Sequence, residues 1–200
     1  MNIYKHYSFV LALSLVFTVA AGAADVPDQL KNLSGEWKGE WVMSGPGAEG
    51  KIVKKFAWTD VMTVGAVKKE KDRVFVSTVD RMNFGEGIPP REVIGIEAYY
   101  LNADGSLGDY FFENYGQVHR MRPLAKGVWA YTLPAGEKEL AMLGFTNVIS
   151  ATHVMVKVET KEEGKECHRI SRITTVNWKD AQGKAQWIQF VSLKGMHRKV

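Results

Sequence analysis

Cysteine is almost absent from this chain of 200 residues: Cys167 is the only one, so no internal disulfide can form. The fold must therefore rest on a buried core, which a chain of this length can supply. No CxxC is present, and His119, His153, His168 and His197 form no i, i+2 or i, i+4 pair. No metal site is expected on that spacing. A G-x-S-x-G elbow is missing, and Gly45, Gly47 and Gly50 do not lead from a strand into a helix, so neither a serine nucleophile nor a phosphate-cradling loop is indicated. Charge of one sign is also scarce. The formal net charge is +4 and the lysines are scattered. The densest cluster, Lys68–Arg73, alternates in sign and reads as a solvated turn, so no nucleic-acid partner is expected.

Long apolar runs are limited to one. It spans Phe9–Ala21, follows Lys5 and His6, and ends at Ala21-Gly22-Ala23. It is too short for a bilayer core, which takes about 20 helical residues. The small-x-small ending fits a cleaved signal peptide over residues 1–23, leaving one domain over residues 24–200. No cysteine follows the run, so a lipid anchor is not expected, nor is a membrane span after cleavage. A single cysteine in an exported chain points to the periplasm, or to secretion.

Helical periodicity is nearly missing as well. Ala135–Gly144 has helical character, and Asp25–Leu33, with Pro27 near its start, is a short helical or irregular lead-in. The rest is strand signal broken by Gly, Asn, Asp and Pro. In Gly35–Met43, Trp37, Gly39, Trp41 and Met43 share one face, while Glu36, Lys38 and Glu40 share the other. Further strands are expected at Lys51–Trp58, Val61–Val67, Arg73–Met82, Arg91–Leu101, Gly108–Tyr115, Gln117–Arg122 and Val128–Leu133. Ser150–Thr160, Glu166–Trp178 and Ala185–Lys194 complete the set. Asn102–Gly105 is a hairpin turn, because Asp-Gly supplies the positive φ angles a tight turn needs.

About ten strands joined by short turns pair with their sequence neighbours. The expected fold is all-β, a single up-and-down antiparallel barrel of about 8–10 strands. Closure removes the two aggregation-prone edges of an open sheet. A two-sheet β-sandwich is the alternative.

The Leu33-Ser34-Gly35-Glu36-Trp37-Lys38-Gly39 opening resembles lipocalin-type barrels of the calycin superfamily, which begin with Gly-x-Trp. It is similar to uncharacterised exported bacterial lipocalin-like proteins of a domain-of-unknown-function family, and the short pattern also occurs in nitrobindin-type haem barrels. The resemblance implies that Trp37 packs across the barrel floor, often against an Arg of the last strand. Arg198 is the nearest candidate, although Gly195 intervenes.

Chemistry, if any, is expected inside such a barrel. Tyr99, Tyr100, Tyr110, Phe111, Phe112 and Tyr115 crowd one hairpin, with Trp129, Tyr131, Trp178 and Trp187 on later strands. Consecutive aromatics place rings on both faces, and the inward ones suit a mostly apolar ligand pocket. The candidate ligand-binding residues are Trp41, Tyr99, Tyr110, Phe112, Tyr115, Glu97, Glu113, Trp129 and Arg172. Glu97 and Glu113 are expected on one barrel face, as polar anchors or as an acid–base pair. The expected ligand is a small hydrophobic or amphipathic molecule. The alternatives are a periplasmic hydrolase, isomerase or cyclase, and an interaction module with no ligand. No cofactor is expected, and His197 is the position to test for haem ligation. Cys167 reads as a small buried hydrophobe rather than a nucleophile. Oligomeric state is not set by the sequence.

Overall fold

The computed structural model describes residues 26–47, 51–114 and 117–200, so the expected signal segment lies outside the described residues. The elements follow in chain order as α1 (Asp28–Lys31), β1 (Gly35–Pro46), β2 (Ile52–Val64), β3 (Lys68–Glu70), β4 (Arg73–Asn83), β5 (Arg91–Leu101), β6 (Leu107–Asn114), β7 (Gln117–Ala125), β8 (Val128–Pro134), α2 (Glu137–Leu143), β9 (Val148–Glu162), β10 (Lys165–Lys179) and β11 (Ala185–Lys199). Neighbours pair antiparallel along the meander, β1 pairs with β11, and β2 pairs with β4. The sheet therefore closes as an up-and-down barrel of ten strands, a shape consistent with a lipocalin-like barrel. The extra strand, β3, pairs with β4 and continues the line of β2 past Gly65–Val67. Closure leaves no room for the two-layer sandwich.

Three of the differences from the sequence reading have a clear physical reason. The strands expected at Lys51–Trp58 and Val61–Val67 are one strand, β2. Thr59 and Asp60 stay extended because Asp60 pairs with Gly39 of β1. The charged cluster at Lys68–Arg73 is not all turn: Lys68–Glu70 form β3, and the chain reverses at Lys71, whose φ is 55°. Finally, β11 does not stop at Lys194. It runs through Gly195 to Lys199, and Gly195 is a packing residue: a Cβ there would collide with the Trp41 indole.

A hydrophobic cluster packs at each end. At one end α1 acts as a plug. Its Leu30, with Leu33 just beyond it, packs on Trp37, Val74, Tyr99, Tyr110 and Trp129. Trp37 is 1% exposed, and its Nε1–H donates to Leu33 O at 2.9 Å. Its partner is not the expected Arg198, which lies on the outer face 3.5 Å from Glu162. Trp37 instead stacks on His168, with centroids 4.4 Å apart, and has Lys199 Nζ 6.0 Å from its ring. Strand parity explains the exchange. Trp37 pairs directly with Lys199, so Arg198 points to the opposite face. At the other end Leu140 and Leu143 of α2 pack with Phe145, Val176 and Phe190.

Candidate functional site

Between these two ends lies a cavity of about 300 Å³. Alternation places its walls. On β2 the inward series is Phe56, Trp58, Asp60, Met62 and Val64; on β4 it is Val74, Val76, Thr78, Asp80 and Met82. Met62, Met82, Met121 and Met155 supply much of the apolar lining, with Phe112, Ile170 and Leu193. Thioethers adapt to irregular shapes, which suits a space between rings. Most of the lining residues are only partly buried, so solvent reaches the space. A larger hollow, about 710 Å³, lies elsewhere, lined mainly by charged residues such as Lys38, Glu163, Lys165 and Arg198. That composition does not suit an apolar ligand.

Trp41 and Trp58 form one wall. Their rings stack with centroids 5.8 Å apart and planes 5° from parallel. The Trp41 Nε1–H donates to Asp60 Oδ2 at 2.7 Å, while Trp58 Nε1 is buried without a hydrogen-bond partner. Asp60 has no exposed side-chain surface. Its two oxygens lie 2.9 and 3.0 Å from His197 Nε2. Gly39 makes this pairing possible, because it sits in register with both residues and a Cβ would overlap them.

Beside this pair, Asp80 reaches the cavity from β4. Its Oδ1 is buried and has no hydrogen-bond partner. Burial and the neighbouring Asp60 push its pKa up to about 7, against a smaller opposing pull from His197. A carboxyl that exchanges its proton near neutrality, inside an apolar cavity, marks a candidate functional position. The opposite wall carries Lys157, only 7% exposed, with Nζ 5.1 Å above the Tyr110 ring and 3.6 Å from Glu159. His168 lies nearby. Burial, then Lys157, hold its pKa well below the usual histidine value, so it is neutral.

The residues singled out from sequence divide into five groups. Trp41, Glu97, Tyr110 and Phe112 line the cavity. Tyr99 and Trp129 are buried in the plug-side core instead. Burial and the adjacent Glu97 raise the Tyr99 hydroxyl well above its ordinary pKa, and it donates to Glu97 Oε2, positioning that carboxylate. Arg172 bonds to Ser192 Oγ at 2.8 Å and pairs with Glu139, so it tethers α2. Glu113 is exposed on the outer face, paired with the equally outward Ile96, so the expected sharing of a face with Glu97 is not found. The parity of β6 decides it: Tyr110 and Phe112 point in, hence Glu113 points out. Tyr115 lies outside the described residues. Among the aromatics expected on both faces, Tyr100 and Phe111 are the outward ones, beneath Arg73 and Arg120.

The sequence reading missed Asp60 and Asp80 as site residues. Asp60 stands alone among apolar residues at every second position, Asp80 sits between Thr78 and Met82 in a mostly apolar series, and an acid in such a series was the available signal. His153, considered as a ligand, is buried with Nδ1 2.8 Å from Thr174 Oγ1 and Nε2 2.9 Å from Glu139. No group of three or more His, Cys, Asp or Glu suited to a metal ion occurs among the described residues. No protein-family model, curated protein or solved structure matches this chain.

Proposed function

We propose that this is an exported protein that holds a small apolar or amphipathic molecule in its barrel lumen. One observation carries the reading: an interior cavity of about 300 Å³ walled by indoles, phenyl rings and methionines, with a few polar groups converging on it. That volume is at the low end for ligand sites, and suits a molecule of one or two rings rather than a long acyl chain or a porphyrin. Export rests on the Phe9–Ala23 segment, and kinship with the uncharacterised bacterial lipocalin-like proteins rests on the Leu33–Gly39 opening.

The test is native mass spectrometry of the full chain expressed with its own N-terminus. A processed form lacking residues 1–23 in the periplasmic fraction, carrying a dissociable small-molecule mass, is the expected result. Met155→Trp, which fills the cavity, should remove the bound mass. Protein that retains nothing, and whose Trp41 and Trp58 fluorescence no small aromatic compound quenches, would overturn the reading.

A second reading, a general acid–base enzyme, is favoured by Asp80 standing beside the Asp60–His197 pair in the lumen. It requires Asp80→Asn to abolish turnover of a lumen ligand without weakening its binding.

A further inference from the structure

The protein carries net positive charge, yet Asp80 and Glu97 line the cavity and Asp60 stands behind its Trp41 wall, together with Lys157 and the imidazoles of His168 and His197. Lys157 is occupied by Glu159 and the face of Tyr110. His168 is neutral. His197 is held by Asp60. Glu97 accepts from Tyr99. Only Asp80 among these carboxyls has a buried oxygen left with no partner.

A desolvated carboxyl beside a second carboxyl is unstable as an anion unless a cation or a proton joins it. A proton can do so, which is why the group titrates near neutrality. A ligand ammonium group would take the proton's place and remove the repulsion from Asp60. The stacked indoles of Trp41 and Trp58 add π faces within the same cavity, and π faces attract cations.

Resting on the lumen-binding reading, we propose that the ligand is a protonated amine with a small aromatic or apolar body, its nitrogen paired with Asp80 and its body against Trp41 and Trp58. Divalent metal is a poorer occupant, since no three-ligand group suited to one lies among the described residues.

Isothermal titration of the full chain with 2-phenylethylamine and with uncharged 2-phenylethanol, at about pH 8, separates the two claims. The groups facing Asp80 are Asp60 of β2 and His197 of β11, with Glu97, Lys157 and His168 elsewhere on the lumen wall. The amine should bind at least about tenfold tighter than the alcohol. That preference should disappear in Asp80→Asn and shrink toward about pH 5.5, where Asp80 keeps its proton. Asp80→Asn should still bind the alcohol, which shows that the variant's cavity is intact. Alcohol binding without any amine preference, or a preference that survives Asp80→Asn, overturns the amine assignment and leaves the lumen reading standing. Failure of both compounds to bind overturns the two together.

Discussion

Asp60 and His197 are 137 positions apart in sequence, yet both carboxyl oxygens of Asp60 lie within 3.0 Å of His197 Nε2, directly over Gly39. A Cβ at residue 39 would stand 2.6 Å from His197 Nε2 and closer still to Asp60 Oδ1. Gly39→Ala must therefore break a buried polar pair or displace a strand. The expected loss is about 2–4 kcal/mol in urea unfolding. Gly136→Ala is the control, because nothing lies within 4 Å of its Cβ position and its φ of −75° suits alanine. That variant should unfold within about 0.5 kcal/mol of wild type.

Asp80 links stability to pH. Its pKa is about 7 in the folded protein against 3.8 for the unperturbed group. Between those values the folded state holds a proton that the unfolded chain has lost. The contribution is therefore complete below the lower value and fades as pH rises through the upper one. Asp80→Asn removes the titration. Its stability relative to wild type should rise steadily from about pH 4 to about pH 8, measured as the difference in urea midpoint. A constant difference across that range would contradict the assignment.

The tether of α2 is polar as well as apolar. Arg172 and His153 both engage Glu139. Burial by itself raises the Glu139 pKa, but the His153 hydrogen bond and the Arg172 charge outweigh it and leave the group below its ordinary value. Arg172→Leu strands that carboxylate, and should cost about 2 kcal/mol. Amide exchange in Glu137–Leu143 should accelerate in this variant while exchange in β10 stays near wild type. The Glu139 contribution is present above the unfolded carboxyl pKa and is lost on acidification, so wild-type α2 should also loosen as pH falls below about 4.

Trp37 joins the plug to the barrel wall. Trp37→Phe keeps most of the ring stacked on His168 but leaves Leu33 O without its donor. About 1–2 kcal/mol should be lost. Trp37→Ala also opens a cavity under α1, and should cost about 3–5 kcal/mol. Equal losses in the two variants would mean that the hydrogen bond, and not the packing, seats α1.

Cys167 is a free thiol with no measurable exposure. A thiol reagent such as 5,5′-dithiobis(2-nitrobenzoate) should leave native protein unmodified for as long as it stays folded, and react with one equivalent in denaturant. Rapid labelling of the native state would place β10 among locally opening segments.

Period-two alternation made the wall of the barrel legible before any coordinates. Trp37, Gly39, Trp41 and Met43 share a face in the sequence and do so in β1, and the Asn102–Gly105 turn joins β5 to β6 as Asp-Gly chemistry requires. Half of the aromatic hairpin was legible for the same reason. Tyr99 alternates inward on β5, as Tyr110 and Phe112 do on β6, and the bulge between Tyr99 and Leu101 brings Tyr99 and Tyr110 opposite each other. Alternation also carries phase errors. Glu113 fell on the wrong face, since it lies three residues from Tyr110 along β6 and so points opposite to it.

What the chain determined alone was therefore local: the all-β class, the meander, and which residues alternate. Only the tertiary structure decided which acids share a space. Asp60, Asp80 and His197 come from three strands that become neighbours when β1 pairs with β11 and β2 with β4. Closure is a non-local event, so no spacing along the sequence encodes the distance between those groups. The same holds for Gly39, read only as a member of a strand face, and Gly195, read as lying past a strand end: the carboxyl and the ring that fill the place of their missing side chains come from distant strands.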